Sequence, residues 1–361
     1  MDTYRHFLRP LLFRLDAERA HNLACALLKR PPLGRLLFGG DRAIGNDRLR
    51  VDIGGLTFPN PVGLGAGFDK DCEMVNSLMH FGFGYIVAGS VMCNPRPGNP
   101  RPRMIRDPER EALFSCMGLP SKGLQKVAEC LKGRRPFNVP LIINFNGMDL
   151  REYLRCMDVL QPLGDALEIS LFCPNRAGDQ GDFLDAHFAV TLFEELSRRK
   201  KKPLFIKIPG YISDDERLKR LNLVECMMNY PIDGITITPE SRVEDKRLSV
   251  GRGTITGSPL FSQTLRVIED IFHITGGNVH IKASGGLSNA QNAFRAISAG
   301  ATTVEMVTGF FYEGWNIANN INQGLMNLLD RYNVQDIRAL RGSNVGKNEK
   351  GWDIRLKDLI F

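Results

Sequence analysis

Eight short apolar segments, each followed by an amphipathic or charged stretch, constrain this 361-residue chain more than any other feature. They are Val62–Ala66, Tyr85–Gly89, Leu141–Phe145, Ala166–Leu171, Leu204–Ile208, Gly234–Thr238, Val279–Ala283 and Thr303–Val307. Runs of this length separated by helical patterns read as strands of a parallel sheet with both faces covered. Eight of them predict an α/β fold, a (β/α)8 TIM barrel, whose active site lies at the C-terminal strand ends. Two long Pro/Gly/Arg-rich connections, 93–120 and 239–258, follow strands and are expected at that mouth, where long loops are usually functional. The remaining length gives an organisation of a helical arm (1–40), the barrel (41–330) and a C-terminal extension (331–361).

The arm carries the charge. The chain has 47 Lys+Arg against 40 Asp+Glu, a net +7, and residues 1–50 hold ten basic groups against five acids. A basic excess raises nucleic acid or an anionic membrane surface as partners. Tyr4, Phe7, Leu8, Leu11, Leu12 and Leu15 repeat with helical spacing. Asp16 is placed to cap a second helix with Ala20, Leu23, Ala24, Leu27 and Leu28 on one face, stopped by Pro31-Pro32. Such a pair either packs on the barrel or lies on a bilayer with its apolar face buried. No apolar run approaches the ~18 residues of a spanning helix. Arg5, Arg9, Arg14 and Asp16 interrupt any secretory h-region. These readings place the chain on the cytoplasmic side, peripherally attached to the membrane. The eight cysteines show no CxxC and no metal-ligand spacing, which suits a reducing compartment.

The strand ends carry Lys70, Ser90, Asn144, Ser170, Lys207, Thr238, Ser284-Gly285-Gly286 and Thr308-Gly309. Glycine pairs after the last two strands are either tight turns or the phosphate site that barrels build there from backbone N–H groups. Lys207, flanked by apolar residues, either snorkels to solvent or points into the barrel. Pointing inward, it would stabilise negative charge on a reduced flavin ring. Phosphate site, interior cation and polar mouth together suit FMN. Cys173, in the loop after the fourth strand, is either buried packing or a general base opposite the flavin.

The stretch Asn60-Pro61-Val62-Gly63-Leu64-Gly65-Ala66-Gly67-Phe68-Asp69-Lys70 resembles the NPxGLAAGxDK motif of dihydroorotate dehydrogenases. Gly82-Phe83-Gly84, Pro97–Arg103, Ile142-Ile143-Asn144, Cys173-Pro174-Asn175, Ile206-Lys207-Ile208, Gly285-Gly286 and Thr308-Gly309 follow in the family's order. The two N-terminal helices resemble those of the membrane-associated, quinone-dependent class. The resemblance implies FMN contacts from Ala66, Gly67, Lys70, Ser90, Asn144, Lys207, Thr238, Gly257, Gly286, Val307 and Thr308. It implies that Cys173 is the catalytic base, where the quinone-dependent class has Ser and the soluble class Cys. It also implies a quinone tunnel under the arm, with His21 and Arg106 in the quinone site.

The substrate positions depart from the family. Ser115-Cys116 stands where the family has Asn-Arg, Ser170 where it has Asn, and Pro239-Glu240 where it has Asn-Thr; Lys70 and Asn175 fit. A pocket that loses its amides loses discrimination for a polar ring. A Glu240 pointing inward would repel a carboxylate. The leading reading is an FMN-dependent dehydrogenase that passes hydride to flavin N5 and electrons to quinone, with a substrate that differs from dihydroorotate. The alternatives are a dihydroorotate dehydrogenase proper in pyrimidine biosynthesis, and an FMN-dependent RNA reductase of dihydrouridine type. Confinement of the basic excess to the arm speaks against nucleic acid. A non-catalytic barrel conflicts with the nearly complete FMN set.

Overall fold

The computed structural model describes residues 3–30, 45–171 and 186–345. An antiparallel pair, β1 (Val51–Ile53) and β2 (Leu56–Phe58), precedes the barrel. Eight parallel strands then close on themselves: β3 (Val62–Leu64), β4 (Tyr85–Met92), β7 (Leu141–Asn146), β8 (Ala166–Ser170), β9 (Leu204–Pro209), β10 (Gly234–Thr238), β13 (Ile281–Ser284) and β14 (Thr303–Met306). Each predicted apolar segment is one of these strands. They are buried along nearly their whole length, as a sheet sandwiched between interior and helices requires. The surrounding helices begin at side-chain caps that satisfy free N–H groups: Asp149 accepts from Glu152 N at 2.8 Å and Asn289 from Asn292 N at 2.8 Å.

Gly63 shows how tightly the barrel floor is packed. A Cβ there would stand 2.2 Å from Tyr85 Cζ. The Tyr85 ring occupies that space, with its hydroxyl 3.0 Å from Thr303 Oγ1.

The two long connections are not irregular. They supply β5 (Met104–Asp107), β6 (Ala112–Ser115), β11 (Arg242–Glu244) and β12 (Arg252–Gly257), which form one antiparallel sheet in the order β11-β12-β6-β5. Neither connection can satisfy its backbone alone, and pairing β6 with β12 joins them across the mouth.

The arm is helical as expected. A wide turn, Tyr4–Leu8, runs into an α-helix over Arg9–Leu12. The second helix, Ala17–Leu28, starts at Asp16, whose Oδ1 accepts from Glu18 N and Arg19 N. Its apolar residues divide between two faces. Ala17, Ala20, His21, Cys25 and Leu28 are buried against the barrel, whereas Leu23 and Leu27 are exposed beside Phe7, Leu8, Leu11 and Leu15. The expected single apolar face is therefore split between barrel packing and solvent. At the other end, Ile337 and Leu340 of the expected extension are buried in the barrel's own core.

Candidate active site

The strand ends, the four-stranded sheet and the segment from Ser284 to Tyr312 enclose a cavity of about 300 Å³. Ala66, Gly67, Lys70, Ser90, Lys207, Thr238, Gly257, Gly286, Val307 and Thr308 all line it, ten of the eleven positions expected to hold FMN. Asn144 does not. It is buried below the cavity, where its Nδ2 donates to Glu168 Oε1 at 2.7 Å and Ser170 Oγ at 3.0 Å.

The walls are built for close backbone approach. Gly67 has φ +110° and open space where a Cβ would project. Gly286 has φ +70°, and a Cβ there would stand 2.6 Å from Phe261 N. Only glycine adopts these positive φ values without strain while leaving the main chain of the cavity wall bare. Asn292 Nδ2 fixes this turn by donating to Gly286 O at 3.0 Å, and Thr308 Oγ1 lies 2.8 Å from Thr256 Oγ1 on β12. Bare backbone, hydroxyls and a cation fit an elongated phosphate-bearing cofactor such as FMN.

Lys70 reaches back to Gly67 O at 2.6 Å, and burial lowers the pKa of its ammonium. Asp69 anchors the same loop by accepting from Glu73 N and Met74 N. Burial pushes its carboxyl up to about 6 despite those two bonds.

Sequence reasoning missed the charges beneath the cavity. Lys282, Glu168 and Glu305 are fully buried inside the barrel. Lys282 Nζ stands 2.6 Å from Glu168 Oε2 and 3.3 Å from Glu305 Oε2, and Lys207 Nζ stands 4.0 Å from Glu305 Oε1. The signal was present: three charged residues interrupt otherwise apolar strands, where unpaired charge is almost never tolerated. Glu111 and Tyr312, which also line the cavity, had no comparable signature.

On the substrate side Ser115 lies where expected, whereas Ser170 and Glu240 do not. Ser115 lines the cavity, its Oγ 3.3 Å from Thr254 Oγ1. Ser170 instead bonds Asn144 and is absent from the wall. Glu240 turns away: its Oε1 accepts from Ser241 N, Arg242 N and Arg242 Nε, each at 2.9 Å, so it caps its own loop and presents no charge to the pocket. Pro239 and Ser241 face the cavity in its place. Cys173 and Asn175 lie outside the described residues. Of the described cysteines, none lines the cavity, and burial raises the thiol pKa of Cys25 to about 11.

His21 and Arg106 sit between arm and barrel. The His21 ring meets Phe68 edge-on at 5.2 Å and Phe311 at 5.6 Å, and Phe311 borders the cavity. Burial, reinforced by the Lys70 charge, drives the His21 pKa down to about 3, so the imidazole is neutral. Its Nδ1 is buried with no hydrogen-bond partner among the described residues. Arg106 stacks over the Phe13 ring at 4.4 Å and donates to Leu12 O and Leu15 O, closing the end of the first helix.

The arm is clasped by one carboxylate. Glu18 is buried and accepts from Arg101 Nε at 3.0 Å and Arg103 Nη2 at 2.7 Å.

Comparison with known proteins agrees with this architecture. The family model for dihydroorotate dehydrogenase matches residues 48–329. A dihydroorotate dehydrogenase (quinone) of Roseiflexus sp. (strain RS-1) is 35% identical over 351 residues, covering 92% of this chain and 96% of the relative. One from Sulfurimonas denitrificans is 31% identical over 347 residues, covering 93% and 98%. A ligand-free crystal structure of DHODH from Eimeria tenella superposes with a TM-score of 0.81 at 25% identity, covering 91% of this chain and 99% of that one. The family model spans the barrel and its cavity loops, and the chain belongs to the dihydroorotate dehydrogenase family.

Proposed function

We propose that this protein is an FMN-dependent dehydrogenase acting on a CH–CH or CH–NH bond, with a quinone as electron acceptor. The observation that carries the reading is the cavity wall, where ten expected cofactor positions from both ends of the sequence converge. FMN, when bound, would supply the two-electron hydride chemistry. The residues around it bind and orient. Bare backbone at Gly286, with the Thr308 hydroxyl, would hold the phosphate end. Lys207 would place a cation where negative charge develops, and Lys70 lines the same cavity. Cys173, which follows β8 in the sequence, would remove the substrate proton; a thiol with a reference pKa near 8.5 ionises more readily than a hydroxyl.

Among the described residues, the substrate side is lined by hydroxyls rather than amides. Ser115 and Ser241 face the cavity, while Pro239 replaces a hydrogen-bonding side chain. A ring that needs several amide contacts is disfavoured in such a site, which supports a substrate other than dihydroorotate. The names of the relatives favour dihydroorotate itself as the second reading.

Quinone access is proposed under the arm, beside His21 and Arg106. The exposed stripe of Phe7, Leu11, Leu15, Leu23 and Leu27 would insert into the bilayer surface, with Arg14, Arg19 and Arg30 at anionic headgroups. No helix among the described residues is long and apolar enough to cross a membrane.

An anaerobic titration decides the substrate. The purified protein is expected to carry FMN and to stay yellow with dihydroorotate. Rapid bleaching by dihydroorotate establishes the second reading, and a protein that takes up no FMN sinks both.

A further inference from the structure

The charges of the barrel interior, buried Lys282, Glu168 and Glu305 with half-buried Lys207, form a balanced set of two lysines and two glutamates that the proposed chemistry uses only through Lys207. The two glutamates are not equivalent. Glu168 is saturated: Lys282 Nζ and Asn144 Nδ2 donate to it at 2.6 and 2.7 Å, and Thr236 adds a third bond. Burial pushes its carboxyl up, but the Lys282 and Lys207 charges outweigh that and hold it low, so Glu168 is a fixed anion.

Glu305 borders the cavity and is fully buried, yet neither carboxylate oxygen accepts a hydrogen bond among the described residues. Lys282 stands 3.3 Å away without hydrogen-bond alignment, and Lys207 is 4.0 Å away. The other groups facing Glu305 are Glu168 from β8 and the Tyr85 phenol from β4, and neighbouring strand β3 (Val62–Leu64) offers none. Burial, with Glu168 repulsion opposing the pull of Lys282, leaves the Glu305 carboxyl pKa raised.

We propose that Glu305 is a proton-accepting group beneath the cofactor, taking up one proton from solvent each time the bound flavin is reduced and releasing it on reoxidation. This rests on the reading that FMN occupies the cavity. The balance is simple. Two electrons arriving with one proton leave one added negative charge above Lys207. The four-charge set was neutral, and like charges at close range in a dry interior cannot all remain ionised. Protonating the Glu305 carboxylate restores neutrality. Glu168 is locked by its donors, the Glu168 and Glu305 carboxylates outweigh burial and keep the Lys282 ammonium charged, and burial holds the Tyr85 phenol neutral, so Glu305 is the carboxylate of this cluster that can respond. Glu305 acts through the charge on Lys207 and is a positioning residue for the redox step.

The test is redox potentiometry of the purified holoenzyme across the neutral pH range. Each proton coupled to two electrons contributes about 30 mV per pH unit. The wild type is expected to show twice that slope, and Glu305→Gln to show the single-proton slope while binding FMN stoichiometrically. A single-proton slope in the wild type, or a doubled slope that persists in Glu305→Gln, overturns the inference while leaving the functional reading intact. A protein that binds no FMN overturns both. If Glu305→Gln does not fold, the reduced-minus-oxidised infrared spectrum of the wild type decides. A new protonated-carboxyl band supports the proposal, and its absence refutes it.

Discussion

His21 shows what burial does to a single side chain. It lies on the inner face of the arm's second helix, walled by Phe68 and Phe311, and its pKa falls to about 3 because water is excluded and Lys70 is near. The folded protein therefore resists a proton that the unfolded chain accepts at its ordinary value of 6.5. The sign follows: this stability is whole above the unfolded value and is lost as pH falls from there toward the folded one. The expected slope is at most ~1.4 kcal/mol per pH unit. Denaturant unfolding between these limits should show this slope, and His21→Leu should remove it. An identical acid profile in the variant would show that the ring is already protonated in the fold.

At the scale of elements, the arm and the mouth are held by Glu18. One buried carboxylate gathers Arg101 and Arg103 from the loop leading into β5, so the second arm helix is tied to the sheet over the cavity. Burial alone would raise the Glu18 carboxyl pKa, but hydrogen bonds from Arg103 and Arg101 bring it below the ordinary value. Its contribution is present above the unfolded carboxylate pKa and disappears as pH falls through the depressed one. Glu18→Ala is expected to cost about 2 kcal/mol, because charge-assisted bonds are lost while the exposed Arg101 rehydrates freely. Amide exchange should then accelerate in 17–28 and leave the barrel strands unchanged. Unaltered exchange in the arm would mean that its apolar contacts alone hold it. The element itself was legible, since Asp16 was identified as its cap from sequence. The clasp was not, because its partners are more than eighty residues apart.

On the scale of the whole molecule, the fold separates two tasks. The barrel interior and mouth hold the cavity, and the arm presents Phe7 and Leu11, each 58% exposed, on the outer surface. Replacing Leu11 and Leu23 with Asp should weaken binding to anionic vesicles at least tenfold and slow reoxidation by a long-chain quinone. Bleaching of the flavin by substrate should be unaffected, because neither residue lines the cavity. Unchanged vesicle binding would assign the stripe to some other contact.

The eight barrel strands and the family were readable from the sequence because each strand is a local apolar run and each motif a contiguous string. The cofactor positions were readable for the same reason, lying at predictable strand ends. Distance across the barrel decided the rest. Glu240 would repel a carboxylate only by pointing inward, and the folded loop instead gives it three donors of its own. The two long connections read as loops because β6 and β12 find their partners only in each other. Lys282, Glu168 and Glu305 are isolated charges in the sequence, and closure of the barrel alone brings them together. Hydrophobic periodicity is a local property that the chain writes out in order, whereas the pairing of buried charges is settled by which strands become neighbours.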